Sequence, residues 1–318
     1  MSVQAFYPGS TPAAAGLRGE PALPAGFSAP RMLQTMLFTT RFSRRRGVQL
    51  ATFTPVALGV ALAVGAAGAT PRFLIFGEQH DQPDHQRQVA DVVRTLAAEG
   101  RLAAVVLEMA DQGRDTAALT RDADVAAARS ALDWAGWPWD TYSAVVMAAV
   151  RAGVPVVGGN LPRPAMRAAM ADATLDPLLA APERDKLLLA VREGHCGLLP
   201  PSQEPGMLRI QIARDRAMAQ TLESRLALAA PGAQVLLLTG AMHASRDRGV
   251  PMHLLKSGGH APEEVRVVLF GDLAPELSAD ERRPAAFTPQ PDPCIGLEDK
   301  LLKHAPTPPA SDASTTQQ

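Results

Sequence analysis

Five short apolar runs set the architecture of this chain, because each has strand length and each closes at or next to a glycine or a polar residue. They read RFLIFG (72–77), LAAVVLEM (102–109), VPVVGGN (154–160), QVLLLTG (234–240) and VRVVLFG (265–271). After the first, Val89, Val92, Val93 and Leu96 fall at i, i+3, i+4, i+7, which predicts an amphipathic helix over 84–99 with Pro83 near its first turn. Helical stretches are also expected over 113–132, 140–152, 162–173, 182–193 and 205–229. Continuous apolar strands separated by helices imply an α/β fold. Its sheet is open and mostly parallel, with helices on both faces and an inserted helical region before the fourth strand.

The folded domain is therefore expected over 70–275. Residues 1–35 are rich in Pro, Gly, Ser and Ala without an apolar period, and read as a disordered extension. Residues 36–69 read as a signal-like hydrophobic segment: Arg44-Arg45-Arg46, then an apolar run closed by Ala67-Gly68-Ala69. Ser43-Arg44-Arg45 is similar to a twin-arginine signal, and Met36 is an alternative start. An uncleaved anchor and a buried domain element are the competing readings. Pro55 and four glycines weaken a spanning helix. Cleavage after Ala69 would leave only Thr70, Pro71 and Arg72 before the first strand. A periplasmic or envelope location follows if the run is a signal. No lipobox cysteine lies near it. Residues 276–318 form a Pro-rich tail, expected as loop, with disorder after Lys303.

The net charge is −1 and only 4% of residues are aromatic. Nucleic-acid binding, which needs a cationic and usually aromatic surface, is excluded. Cys196 and Cys294 are the two cysteines of the chain. They cannot make a zinc site alone, and in an exported protein they are expected to pair. No GxGxxG opens a helix, and neither a P-loop nor a GxSxG is present.

Parallel strands bring their carboxyl ends to one edge, and ligands of open α/β folds bind there. The first strand ends in Gly77-Glu78-Gln79-His80, the second in Glu108, the third in Gly158-Gly159-Asn160 and the fourth in Gly240-Ala241-Met242-His243. Glu78 and His80, two apart in extended chain, point the same way. They suit a metal or haem site, or a base with its orienting partner; Asp81 and Asp84 read as helix caps. Glu108 follows a run of apolar residues and needs a proton, a cation or a donor. A structural ion pair is the other reading. His85, His195 and His243 are further candidates. Arg246 and Arg248 either bind an anionic ligand such as a propionate or form salt bridges to Asp247 or Glu108. Gln211, Arg214 and Asp215 lie on adjacent turns of one helix. WAGWPWDTY (134–142) gathers three tryptophans and Tyr142, as a ligand wall, a subunit contact or a local core.

Taken together, FGEQHDQPDHQ, VVLEM, VVGGNLPR, GHCGLLP, QIARDRAMA and LLLTGAMHASRDRGVPMHL resemble the ChaN-type haem-binding uptake proteins of the Tiki/TraB superfamily, over about 73–256. The resemblance implies an EreA/ChaN-like fold and an envelope protein in haem or iron acquisition. It also implies haem held between two subunits of a homodimer by a tyrosine assisted by histidine, and association with an envelope uptake receptor. Glu78, His80, Glu108 and His243 fall on the shared strand-end positions. Tyr142 is the one tyrosine outside the signal-like region and its extension, so it stands as the candidate ligand, with His80, His85, His195, Arg246 and Arg248 as further cofactor contacts. The superfamily also includes metal-dependent proteases with a similar GxxH, which GEQH (Gly77 to His80) fits. A divalent-metal-dependent hydrolase, with metal held by Glu78, His80, Glu108 and His243, is the alternative.

Overall fold

Phe73, Ile75, Leu74 and Phe76 show why the first run becomes a central strand: alternate residues enter two different cores, and none of the four is exposed. The structure is a computed structural model that describes residues 70–271, 275–292 and 294–296. The expected extension over 1–35, the signal-like run over 36–69 and the tail from 297 lie outside the described residues.

The strands are β1 (Phe73–Glu78), β2 (Leu102–Asp111), β3 (Val156–Asn160), β4 (Gln234–Gly240), β5 (Val265–Phe270) and β6 (Glu281–Arg283). They form one sheet in the order β3-β2-β4-β1-β5-β6, and every described pair is parallel. On one face α1 (Pro83–Ala98), α2 (Val125–Ala131) and α3 (Trp139–Ala152) pack on Leu74, Phe76, Val105, Leu107, Leu236 and Leu238. On the other, α6 (Glu204–Ala227), α7 (Ala241–Ala244) and α8 (Val250–Lys256) pack on Phe73, Ile75, Ala104, Val106, Val235 and Leu237. The inserted region adds α4 (Arg163–Ala171) and α5 (Ala181–Gly194), which with α6 enclose a smaller cluster of Leu175, Leu187, Leu208 and Ile212.

The chain steps from β1 to β2 to β3 in one direction, then returns to insert β4 between β2 and β1 before leaving for β5 on the other side. The order reverses at the β1–β4 junction, where an open α/β sheet leaves a site at its carboxyl edge. Register places Glu78 directly beside Gly240 at that edge.

Two expectations differ from the structure. The helix expected over 113–132 is helical only from Val125. The segment before it pairs with β3 instead: Thr116 N donates to Val156 O (2.9 Å) and Gly158 N to Arg114 O (2.8 Å). The helix starts where the Asp124 carboxylate accepts from Ala127 N at 2.8 Å. The segment after 275, expected as loop, supplies β6 and buries Leu277 in the second core. β6 is three residues long and a sequence of Glu-Arg-Arg carries no apolar signal.

Gly77 holds the end of β1 against its neighbours. A Cβ there would meet Leu269 Cδ2 at 2.3 Å and Ala244 Cβ at 2.6 Å. Gly77→Ala is expected to destabilise the fold by about 1–3 kcal/mol through overpacking, read as a lowered urea midpoint with unchanged slope.

Candidate functional site

Two carboxylates are buried at the carboxyl edge, and each has collected its own set of donors. Glu78, 1% exposed, ends β1. Its Oε1 accepts from the Tyr142 hydroxyl at 2.7 Å and lies 2.9 Å from His80 Nδ1, while Gln86 Nε2 donates to Oε2. Those partners come from α3, the β1–α1 loop and the first turn of α1. Glu108, 2% exposed, lies on β2. Arg214 Nη2 reaches its Oε1 at 2.5 Å, and Thr239 Oγ1 and Gly240 N donate to Oε2 at 2.6 and 2.7 Å. The ion-pair reading of Glu108 holds, with Arg214 of α6 as the cation. Arg214 is itself fixed by Asn160 Oδ1 at 3.0 Å and Gln211 Oε1 at 3.1 Å.

The two halves meet at Gly240. A Cβ on that residue would lie 2.9 Å from His80 Nε2 and 3.6 Å from Glu108 Oε2. The absence of a side chain therefore leaves a small cradle against the imidazole. On the far side of Glu108, His243 Nε2 stands 3.7 Å from Oε1, and its Nδ1 is 2.6 Å from Asp215 Oδ1. Gly249 keeps this turn in place, since a Cβ there would collide with the His243 carbonyl at 2.0 Å. Glu78, His80, Glu108 and His243 are thus brought together as the sequence implies.

Electrostatics separates the carboxylates. Burial opposes ionisation of Glu108, but His243 and Arg214 outweigh it and hold its carboxyl well below the usual range. Burial raises Glu78 above that range despite the bonds from His80 and Tyr142. Burial works against a charged His80, yet the Glu78 hydrogen bond and the charges of Glu108 and Glu78 prevail, and its pKa is raised. With Nδ1 held by Glu78 and near the Tyr142 hydroxyl, Nε2 is the ring atom left to face a ligand or a proton. Trp137 lies beside the same ring, with centroids 4.5 Å apart.

The remaining candidates separate from this centre. Tyr142 is 0% exposed, packed against Trp134 and Trp137. Burial and the neighbouring Glu78 push its phenol well above the ordinary value, and its hydroxyl donates to Glu78. Trp134 and Trp139 are core; Trp137 is half-buried beside His80. His85 is buried, accepts from Gln79 N at 3.1 Å and stacks on Phe270 at 5.0 Å. His195 sits at the end of α5 with Nδ1 on the Val191 carbonyl at 2.6 Å. Arg246 is held by Asp280 at 2.9 Å and by the carbonyls of Pro262 and Val265, at the start of β5. Arg248 is 4% exposed and paired with Asp247 at 3.0 Å and the Glu276 carbonyl at 3.1 Å. Arg248 pairs with Asp247, one of the partners the competing reading named, whereas Arg246 pairs with Asp280, which it did not. Among the described residues no group of three His, Cys, Asp or Glu side chains is disposed to hold a metal. Arg214 already places a permanent cation against Glu108.

Gln86, Thr239 and Gly240 are site residues that sequence reading passed over. Gln86 had a signal in its position on the first turn of α1, eight residues after Glu78.

Residues 66–254 match a family model described as haem-binding uptake, Tiki superfamily, ChaN. That span contains every residue of the network. Among solved structures, one reporting cofacial heme binding to ChaN of Campylobacter jejuni is similar in fold, with a TM-score of 0.53 at 20% identity, covering 66% of this chain and 85% of that one. The type III effector HopBA1 gives a TM-score of 0.36 at 13% identity, over 68% of this chain and 88% of its own. No curated protein matches the chain.

Removing Arg214 leaves Glu108 charged and buried. Arg214→Ala is expected to lower stability by about 3–5 kcal/mol in a denaturant titration, and Arg214→Lys by less. His85 is depressed to about 4 by burial. The unfolded chain then takes up a proton at that residue between about pH 6.5 and 4 while the folded chain does not, so stability falls as pH drops through that window. His85→Gln is expected to remove about 2 kcal/mol of the stability difference between pH 7 and pH 5, measured by urea titration at both.

Proposed function

The chain belongs to the haem-binding uptake family, ChaN, of the Tiki superfamily, and we propose that it binds haem at the carboxyl edge of its sheet in the service of haem or iron uptake at the cell envelope. The observation that carries this reading is the Glu78–His80 pair. A carboxylate on Nδ1 orients the ring and raises the donor strength of Nε2, the arrangement that metal-ligating histidines use.

When bound, haem would supply an iron that accepts a nitrogen or oxygen donor. His80 is the residue that would hold it, once its Nε2 has given up its proton: its side chain is 19% exposed, and its Nε2 borders the Gly240 cradle. Trp137 offers an apolar flank to a flat ligand, and Tyr142 and Gln86 fix the carboxylate behind the imidazole. Glu108, held ionised by Arg214 and His243, lends the ring negative potential from the other side.

An envelope location is supported by the Cys196–Cys294 disulfide, since such bonds persist in oxidising compartments. The signal-like run over 36–69 supports the same location. Among the described residues no helix is long and apolar enough to cross a membrane. The partners under this reading are a second copy of the chain and an envelope uptake receptor.

Titration of the purified protein with haemin is expected to give a saturable Soret band. His80→Ala should weaken binding by at least about 10-fold and Glu78→Gln by about 10-fold, whereas Tyr142→Phe should leave the band position unchanged. A His80→Ala protein that binds haemin as tightly as its parent would overturn the assignment.

A further inference from the structure

After β6 the chain turns back along the loop that carries His80. Gln88 Nε2 donates to the Pro284 carbonyl at 3.0 Å, and Ala286 N to Asp84 Oδ2 at 2.6 Å. Gln82 and Thr288 exchange a reciprocal pair: Gln82 Nε2 to the Thr288 carbonyl and Thr288 N to Gln82 Oε1, both at 2.7 Å. Gln290 Nε2 then donates to the Asp81 carbonyl at 3.0 Å. Residues 81, 82, 84 and 88 are the loop after His80 and the start of α1. The segment from 284 to 290 therefore lies along one bank of the site.

Its far end is fixed to the other bank. Cys294 is disulfide-bonded to Cys196, 98 positions earlier in the chain. Cys196 follows α5 in a tight left-handed turn, with φ of 57° there and 70° at Gly197. Arg192 holds this corner to the start of α6 through both oxygens of Glu204, at 2.8 Å each. Farther along α6 are Arg214 and Asp215, which reach Glu108 and His243. Six residues from Thr288 to Cys294 extend at most about 20 Å, so the two banks cannot separate beyond that while the bridge holds.

Among the described residues little besides this bridge holds the far end of the segment. The two large apolar side chains there, Phe287 and Ile295, are 67% and 76% exposed, so they contribute little burial. The backbone bond of Cys294 is local, to Asp292 Oδ1 at 2.8 Å. Beyond Gln290 the disulfide is the described link to the rest of the domain.

We propose that residues 284–292 with Cys294 form a disulfide-locked strap joining the two banks of the site, and that reduction by a dithiol releases it and opens the space beside His80. In that step the S–S bond takes two electrons and two protons and yields two thiols. The dithiol supplies them and is oxidised to its own disulfide. The proposal rests on the site placement used above, and concerns access to it rather than the identity of its ligand.

The experiment reads access to His80 without haem. The protein is treated with diethyl pyrocarbonate, and carbethoxylation of His80 is followed by peptide mass mapping. The oxidised, dithiothreitol-reduced and reoxidised forms are compared with Cys294→Ser. Modification of His80 is expected to be several-fold faster after reduction and to slow again on reoxidation. In Cys294→Ser it should be fast with or without dithiothreitol. Equal rates in the oxidised and reduced native chain would overturn the proposal, and so would a folded Cys294→Ser protein whose His80 stays protected. If the variant does not fold, the reduction and reoxidation cycle decides alone. A protein that binds no haemin can still pass, so failure of the ligand assignment and failure of the strap give different results.

Discussion

Glu78 ends a central strand as a carboxylate with almost no contact with water, and the surrounding structure supplies the donors that water would have given it. A buried charge without partners is far more expensive than one fully hydrogen-bonded. Tyr142 from α3, Gln86 from α1 and His80 from the intervening loop meet that demand together. The interactions that make the strand end tolerable thereby fix the helix, the loop and the ring beside it. Folding and site assembly are one process here. Glu108 repeats the logic one step along the edge with Arg214, Thr239 and the Gly240 amide.

The two carboxylates do not play the same part. Glu108 faces a guanidinium and is held ionised, so it acts as a fixed negative charge. Glu78 faces neutral donors and an imidazole, and burial holds its pKa up. A proton is therefore readily kept near His80, while the fixed charge of Glu108 favours a cationic ring from the other side. Gly240 lets both approach the same small space, because any side chain there would press on the His80 ring.

The sheet was legible because parallel strands covered on both faces must be apolar along their whole length. QVLLLTG is buried at all seven positions and reads so directly. The four strand-end residues were legible for the same reason, since a polar residue closing such a run has few places to go. Direction was not legible. Arg246 follows β4 closely in the chain, but α7 is a single turn and Arg246 reaches the carbonyl of Val265 at the start of β5. His85 and Tyr142 were singled out by residue type, and their burial, at 4% and 0% exposure, was not legible from type alone. The loop before α2 and the strand β6 depend on pairing with a neighbour, which no local period encodes. The strap was hidden for the same reason: its polar residues look like tail until the partners Gln82 and Cys196 are seen beside it.

The central claim is that Glu78 holds His80 by Nδ1 and sets its protonation. The most direct measurement is the pH titration of the His80 ring nitrogens by ¹⁵N NMR, in the parent and in Glu78→Gln. The account predicts a midpoint above the ordinary histidine value of about 6.5 in the parent, falling in the variant. A midpoint at or below that value in the parent, or one that Glu78→Gln leaves unmoved, would contradict it.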